Sequence, residues 1–220
     1  AIGSIRFEGD GKSYIIQPSS GTRTLTLNSG RENVDVLVAT TGTANAKITV
    51  DMALESNLNL PVDAGSLMEL SGGQITSDYA NRTRTVSKSG DGTLLIKNSN
   101  TFTGGFILGA GTVQVDVNET IVSGSISGAF GAGSLTLKGG TLTSLNSPRA
   151  ISNSINLAGG ATIDGPNKIT FSRTGPSTLT DDSTLVINTG SELEIAAGNT
   201  FTATAGKKFI KDGAGKLVWN

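Results

Sequence analysis

The sequence predicts an all-β chain wound as a β-solenoid of about ten coils. Three observations predict it. Apolar residues alternate with polar ones in short runs, the pattern of strands with one buried face. Phrases of strand, glycine turn and strand return in similar form: GSLTLKGGTL at Gly133–Leu142, INLAGGATIDG at Ile155–Gly165 and LVINTGSELEIAAGNTFTA at Leu185–Ala203. Aromatic residues make up only 5%. A sandwich core usually leans on more large rings and longer strands. Ser, Thr and Asn instead fill the polar positions and suit hydrogen-bonded ladders between stacked coils.

The strands follow in order. Ile2 to Phe7 opens the chain as a strand, and Leu25-Thr-Leu27, Ile48-Thr-Val50 and Leu58-Asn-Leu60 continue the alternation. Val113-Gln-Val115, Leu135-Thr-Leu137, Ile155-Asn-Leu157, Leu185-Val-Ile187 and Leu193-Glu-Ile195 carry it to the end. Asn28-Ser-Gly30, Gly72-Gly73, Gly104-Gly105, Gly139-Gly140, Gly159-Gly160 and Thr189-Gly190 punctuate them as turns. Helix signals are almost absent. A single coil cannot offset the entropy of ordering its backbone, so stability must come from stacking neighbours.

Composition narrows the function. The 220 residues allow one large all-β domain or two small ones. There are 30 glycines and 5 prolines without a collagen period. Charged residues are 16% and hydrophobic residues 36%, which suits a thin core. The net charge of −1 gives no electrostatic recruitment of nucleic acid or of an anionic membrane. No apolar run is long enough to cross a membrane as a helix. The absence of cysteine excludes a disulfide framework and a thiolate metal site, and suits an exported bacterial protein. The opening residues read as a strand and not as a signal peptide, so an export signal is expected outside this stretch.

The absence of histidine removes the Ser-His-Asp triad, the Cys-His dyad and the usual zinc sites. Asp181-Asp182 is the best acidic pair, but it follows Leu179 as a solvated turn. Glycoside hydrolysis would need a second carboxylate about 5–9.5 Å away. Gly90-Asp91-Gly92 and Gly9-Asp10-Gly11 each hold one acid and read as tight turns, not calcium loops. Phe102, Phe106 and Phe130 read as stacked rings inside or at a corner of the solenoid; a sugar platform would require them exposed. Asn118-Glu-Thr120 and Asn81-Arg-Thr83 fit the glycosylation pattern, which carries little weight in a bacterial protein. No catalytic, cofactor-binding or metal-binding residue is predicted, and the expectation is that the chain is not an enzyme.

One stretch is more specific. Lys88 to Asp116 reads KSGDGTLLIKNSNTFTGGFILGAGTVQVD, and its opening returns at Lys211–Asn220 as KDGAGKLVWN. Lys88, Gly90, Gly92 and Leu94 match Lys211, Gly213, Gly215 and Leu217 in offset. The longer stretch resembles the autotransporter-associated β-strand repeat, also called the passenger-associated transport repeat. The resemblance runs through Thr93, Ile96, Asn100-Thr-Phe-Thr-Gly-Gly105, Ile107, Gly111-Thr-Val113 and Val115. Phe102 stands for the family's Tyr and Phe106 for its Thr. The resemblance implies a right-handed parallel β-helix, export by a type V or related route, and no catalytic residues.

The expected organisation is a single β-helical segment. Residues 1–87 are spacer coils, 88–116 the repeat, 117–210 degenerate coils, and 211–220 the start of a second, truncated repeat. The expected role is a structural or adhesive stalk of a secreted or cell-surface bacterial protein. A polysaccharide-processing or glycan-binding β-helix and an end-to-end filament subunit are the alternatives. Expected partners are neighbouring coils of the parent protein, surface glycans or other cells, and further copies end to end. Nucleic acid, membrane insertion and cofactors are not expected.

Overall fold

The computed structural model describes residues 1–30, 33–38, 42–77, 83–122 and 124–220. Among them there is no helix. The strands form parallel sheets stacked coil on coil, so the chain is a β-solenoid. The first face holds nine strands: Ser4–Phe7, Asn33–Val38, Asn57–Pro61, Val86–Ser89, Phe106–Leu108, Leu135–Leu137, Ile155–Leu157, Gly175–Leu179 and Asn199–Ala203. The second holds nine: Lys12–Ile16, Ala44–Ile48, Leu67–Leu70, Thr93–Ile96, Thr112–Val115, Thr141–Ser144, Gly160–Asp164, Ser183–Ile187 and Phe209–Asp212. Nine rungs make eight full turns, close to the expected ten. With about 4.8 Å between strands, eight turns extend the rod by about 38 Å.

The third face is discontinuous. Thr24–Leu27, Asp51–Leu54 and Ile75–Ser77 stack in coils one to three. Arg149–Ile151, Ile169–Phe171, Glu192–Ile195 and Lys216–Trp219 stack in coils six to nine. Between them, coil five carries an antiparallel hairpin, Thr120–Val122 with Ser125–Ser127.

Alternation sets which residues enter the core. Seven of the eight expected triplets lie within strands with both apolar ends inward; Leu58 and Leu60, or Ile155 and Leu157, are almost fully buried. Ile48-Thr49-Val50 instead turns a corner, because its strand ends at Ile48 and the next begins at Asp51. Register then stacks like on like. Met68, Leu94, Val113, Leu142 and Ile163 form one inward column of the second face. Thr93, Thr112, Thr141 and Thr162 form the adjacent outward column. On the first face Asn59 donates to Asp35 at 2.9 Å and Ser87 donates to Asn59 at 2.7 Å, a ladder that ties three coils.

Corners use glycine where the backbone demands it. Asp63-Ala64-Gly65-Ser66 closes with Ser66 N–H donating to Asp63 O at 3.0 Å, and Gly65 has φ 77°. Asn188-Thr189-Gly190-Ser191 repeats it at 2.9 Å with φ 85°. Both fit a type II turn, whose third residue needs φ near +80°.

Candidate functional site

The repeat stretch builds a corner, and its lysine is inside. Lys88 is only 1% exposed. It occupies an inward column otherwise filled by Leu60, Leu108, Leu137, Leu157 and Leu179. Its Nζ bends back to the corner and donates to Ser89 O at 2.7 Å, Gly90 O at 2.6 Å and Ala110 O at 3.2 Å. Two of these carbonyls belong to its own corner and one to the next coil. The ammonium therefore joins two coils at a corner, adding a donor to Ser89 O, which also accepts Val62 N–H at 3.0 Å, and supplying one to Gly90 O and Ala110 O. Burial pushes its pKa down to about 8, opposed by Asp91. The glycines make room for this packing: a Cβ on Gly92 would lie 2.2 Å from Asp63 O, and one on Gly111 would lie 2.6 Å from Lys88 Nζ.

The second copy rebuilds the same corner one face later. Lys88 lies on the first face and Leu94 on the second. Lys211 lies on the second face and Leu217 on the third. Local contacts correspond residue by residue. Gly92 N–H donates to Val62 O at 2.8 Å, and Gly215 N–H to Ile187 O at 2.7 Å. Thr93 N–H donates to Ser66 O and Lys216 N–H to Ser191 O, both at 2.9 Å. The motif is thus a corner module that rests on an x-x-Gly-Ser turn in the coil beneath, and it is not tied to one face. Lys211 donates to Gly213 O, and it is exposed because it lies on the last rung.

Coil five holds a polar cluster at the hairpin. On the third face each strand donates to the preceding coil: Ser172 N–H to Ile151 O at 2.9 Å and Ala196 N–H to Phe171 O at 3.1 Å. Ser152 has no such strand beneath it, since coil five leaves as the hairpin. Its N–H donates instead to Glu119 Oε2 at 2.5 Å, so a carboxylate replaces the missing carbonyl. Burial raises the Glu119 pKa, partly offset by the backbone and side chain of Ser152. Beside it Arg149 donates to Asp116 at 2.8 Å and to Asn118 at 2.5 Å, which holds down the loop that leads into the hairpin.

The other predicted positions are structural. Asp181 accepts Lys207 Nζ at 2.6 Å, and this hydrogen bond holds its carboxyl below the usual range; Asp182 accepts Lys208 N–H at 3.0 Å. The pair ties coil eight to coil nine as an exposed turn. Asp10 bridges to Thr43 N–H at 3.1 Å, joining the first two coils. Phe102, Phe106 and Phe130 are buried, with Phe106 and Phe130 edge to face at 5.1 Å between centroids. That removes the sugar-platform reading for these rings. Asn118 spends its side chain on Arg149, and the Asn81-Arg-Thr83 sequon begins outside the described residues. Among the described residues no group of three or more Asp or Glu could hold a metal ion.

The sequence reading missed Glu119 and Arg149, and it missed that Lys88 points inward. Rung spacing does not single them out. Successive rungs of the second face lie 19 residues apart from Thr93 to Thr112, then 29 from Thr112 to Thr141, then 21 to Thr162. The 29-residue interval holds the hairpin, but length alone does not mark it, since Lys12 to Ala44 spans 32 residues without one among the described residues. Comparison with protein-family models, with curated proteins and with solved structures gives no match.

Proposed function

We propose that the chain is a non-catalytic β-helical stalk segment of an exported bacterial surface protein. The observation that carries this is the core: two nine-stranded parallel sheets close on one continuous hydrophobic cluster from Phe7 to Ile195. Such a structure resists bending, because its parallel sheets bond each coil to its neighbours. The resemblance of Lys88–Asp116 to the autotransporter-associated repeat supports the export route. The corner module supports it too, since a buried lysine bridging coils is a device for stacking. Two measurements test the reading. Small-angle scattering of the full chain should give a rod about 40 Å long or longer. Incubation with a polysaccharide panel should release no new reducing ends and no unsaturated uronates. Turnover of any of them, or a compact globular profile, overturns it.

A second reading, end-to-end assembly, is favoured by the last rung. Phe201, Phe209 and Trp219 come from the three faces and meet on the last rung described, with centroids 5.6 and 5.9 Å from Trp219. Trp219 remains 50% exposed beside an all-apolar hollow of about 160 Å³. A second copy stacked head to tail would cover it and continue all three sheets. Light scattering that stays strictly monomeric at high concentration rejects this reading.

A further inference from the structure

The hairpin of coil five leans over the third face and leaves a groove of about 250 Å³. One wall is apolar: Ile121, 60% exposed, and Ile126. The other is polar: Ser152, Ser172, Arg173 and Thr174. Arg173 is, among the described residues, the only charged one lining the groove. Among the described residues it has no ion pair or hydrogen bond, and its buried Nε lacks an acceptor. Its buried Nε is closed to a ligand, but its terminal nitrogens are neither buried nor paired, and a carboxylate is their bidentate match. The hydroxyls are ordered too. Ser152 and Ser172 Oγ lie 3.0 Å apart, and the Ser152 side chain sits beside the Glu119 carboxylate. Hydroxyl hydrogens that point toward that carboxylate turn the oxygen of Ser172 to the groove as an acceptor.

We propose that this groove binds a carboxylate-bearing sugar. The carboxylate pairs with Arg173, a ring hydroxyl donates to Ser172, and the C–H face of the pyranose packs on Ile121. The volume lies below the roughly 300 Å³ at which drug-sized pockets begin, which fits one sugar ring rather than a long chain. The inference extends the surface-stalk reading by naming a ligand class. It needs only that the third face be free, so its failure leaves the scattering and turnover tests untouched.

The test is titration of the full chain with methyl glucuronide, methyl glucoside and acetate, followed by calorimetry and by NMR shifts. The glucuronide should bind about tenfold tighter than the glucoside, as expected for a charge-assisted pair. Arg173→Gln should abolish that preference without changing Tm, because Arg173 holds nothing in the fold. Ile121→Ser should weaken both sugars alike. The proposal is overturned by equal affinity for the two sugars, by no binding at millimolar concentration, or by a preference that survives Arg173→Gln. Acetate competing as well as the glucuronide would reduce the site to a simple anion hole and also overturn it.

Discussion

Replacing Lys88 with methionine removes a charge from the leucine column while keeping nearly the same volume. The consequence can be worked from the proton balance. Lys88 is almost fully buried, and burial lowers its pKa from 10.5 to about 8. Between those two values the unfolded chain holds a proton that the folded chain has released. Stability therefore rises with pH across this window, by about 1.4 kcal/mol per unit at most. The total gain is about 3 kcal/mol between pH 8 and 10.5 for this one group. Lys88→Met lacks the term, and the remaining groups are common to both proteins. The difference in unfolding free energy should thus shift by about 3 kcal/mol in favour of the wild type as pH rises through the window. Guanidinium unfolding at half-unit steps from pH 7 to 11, followed by circular dichroism, measures it. A difference that stays flat refutes the reasoning. It would mean that the three carbonyls around Nζ hold the ammonium strongly enough to cancel the cost of burial.

Four further outcomes are expected. Leu94→Asp and Ile96→Asp each put an unpaired charge into the second-face core and should lower stability by several kcal/mol or prevent folding; an unchanged Tm would show that these side chains are not inward. Gly92→Ala should cost more than about 2 kcal/mol, because its Cβ meets three atoms of the coil beneath within 2.8 Å and two are backbone oxygens; equal stability by urea unfolding would contradict the corner geometry. Glu119→Gln keeps an oxygen for Ser152 N–H and removes a buried charge. Since the folded pKa of Glu119 is raised, the wild type loses stability as pH climbs above the ordinary 4.5, so the variant should be the more stable at pH 7 and equal below pH 4.5; thermal melts across that range decide it. Hydrogen exchange should be fastest in coil nine, where Phe209–Asp212 is paired on one side only, and slowest near Leu135–Leu137.

Alternation reports which side of a strand is buried, and it gave the correct inward side for each triplet read on the two continuous faces. Leu135-Thr-Leu137 and Leu185-Val-Ile187 needed no partner to be read, because a two-residue period has one solution on a one-sided sheet. What stayed hidden has a common physical origin. Lys88 stands at an inward position in a strand whose pattern would place an aliphatic there, and its charge suggests solvent. Only the carbonyls of two different coils, brought together by stacking, make that position tolerable. Glu119 likewise meets Ser152, and Arg149 meets Asp116, each across 33 residues, because coil five omits a strand. Omission leaves no local pattern, and rung spacing does not report it: coil four also lacks a third-face strand, yet only 19 residues separate Thr93 from Thr112. The corner at Lys211 carries the same lesson further. Its sequence repeats that of Lys88, yet it turns the chain between different faces, since the motif encodes a bend over an x-x-Gly-Ser turn and not a position around the coil. A repeat search that assumes one motif per coil at fixed phase would therefore misplace the later coils. Reading the supporting turn together with the motif, Gly65-Ser66 under Gly92 and Gly190-Ser191 under Gly215, recovers the stacking directly.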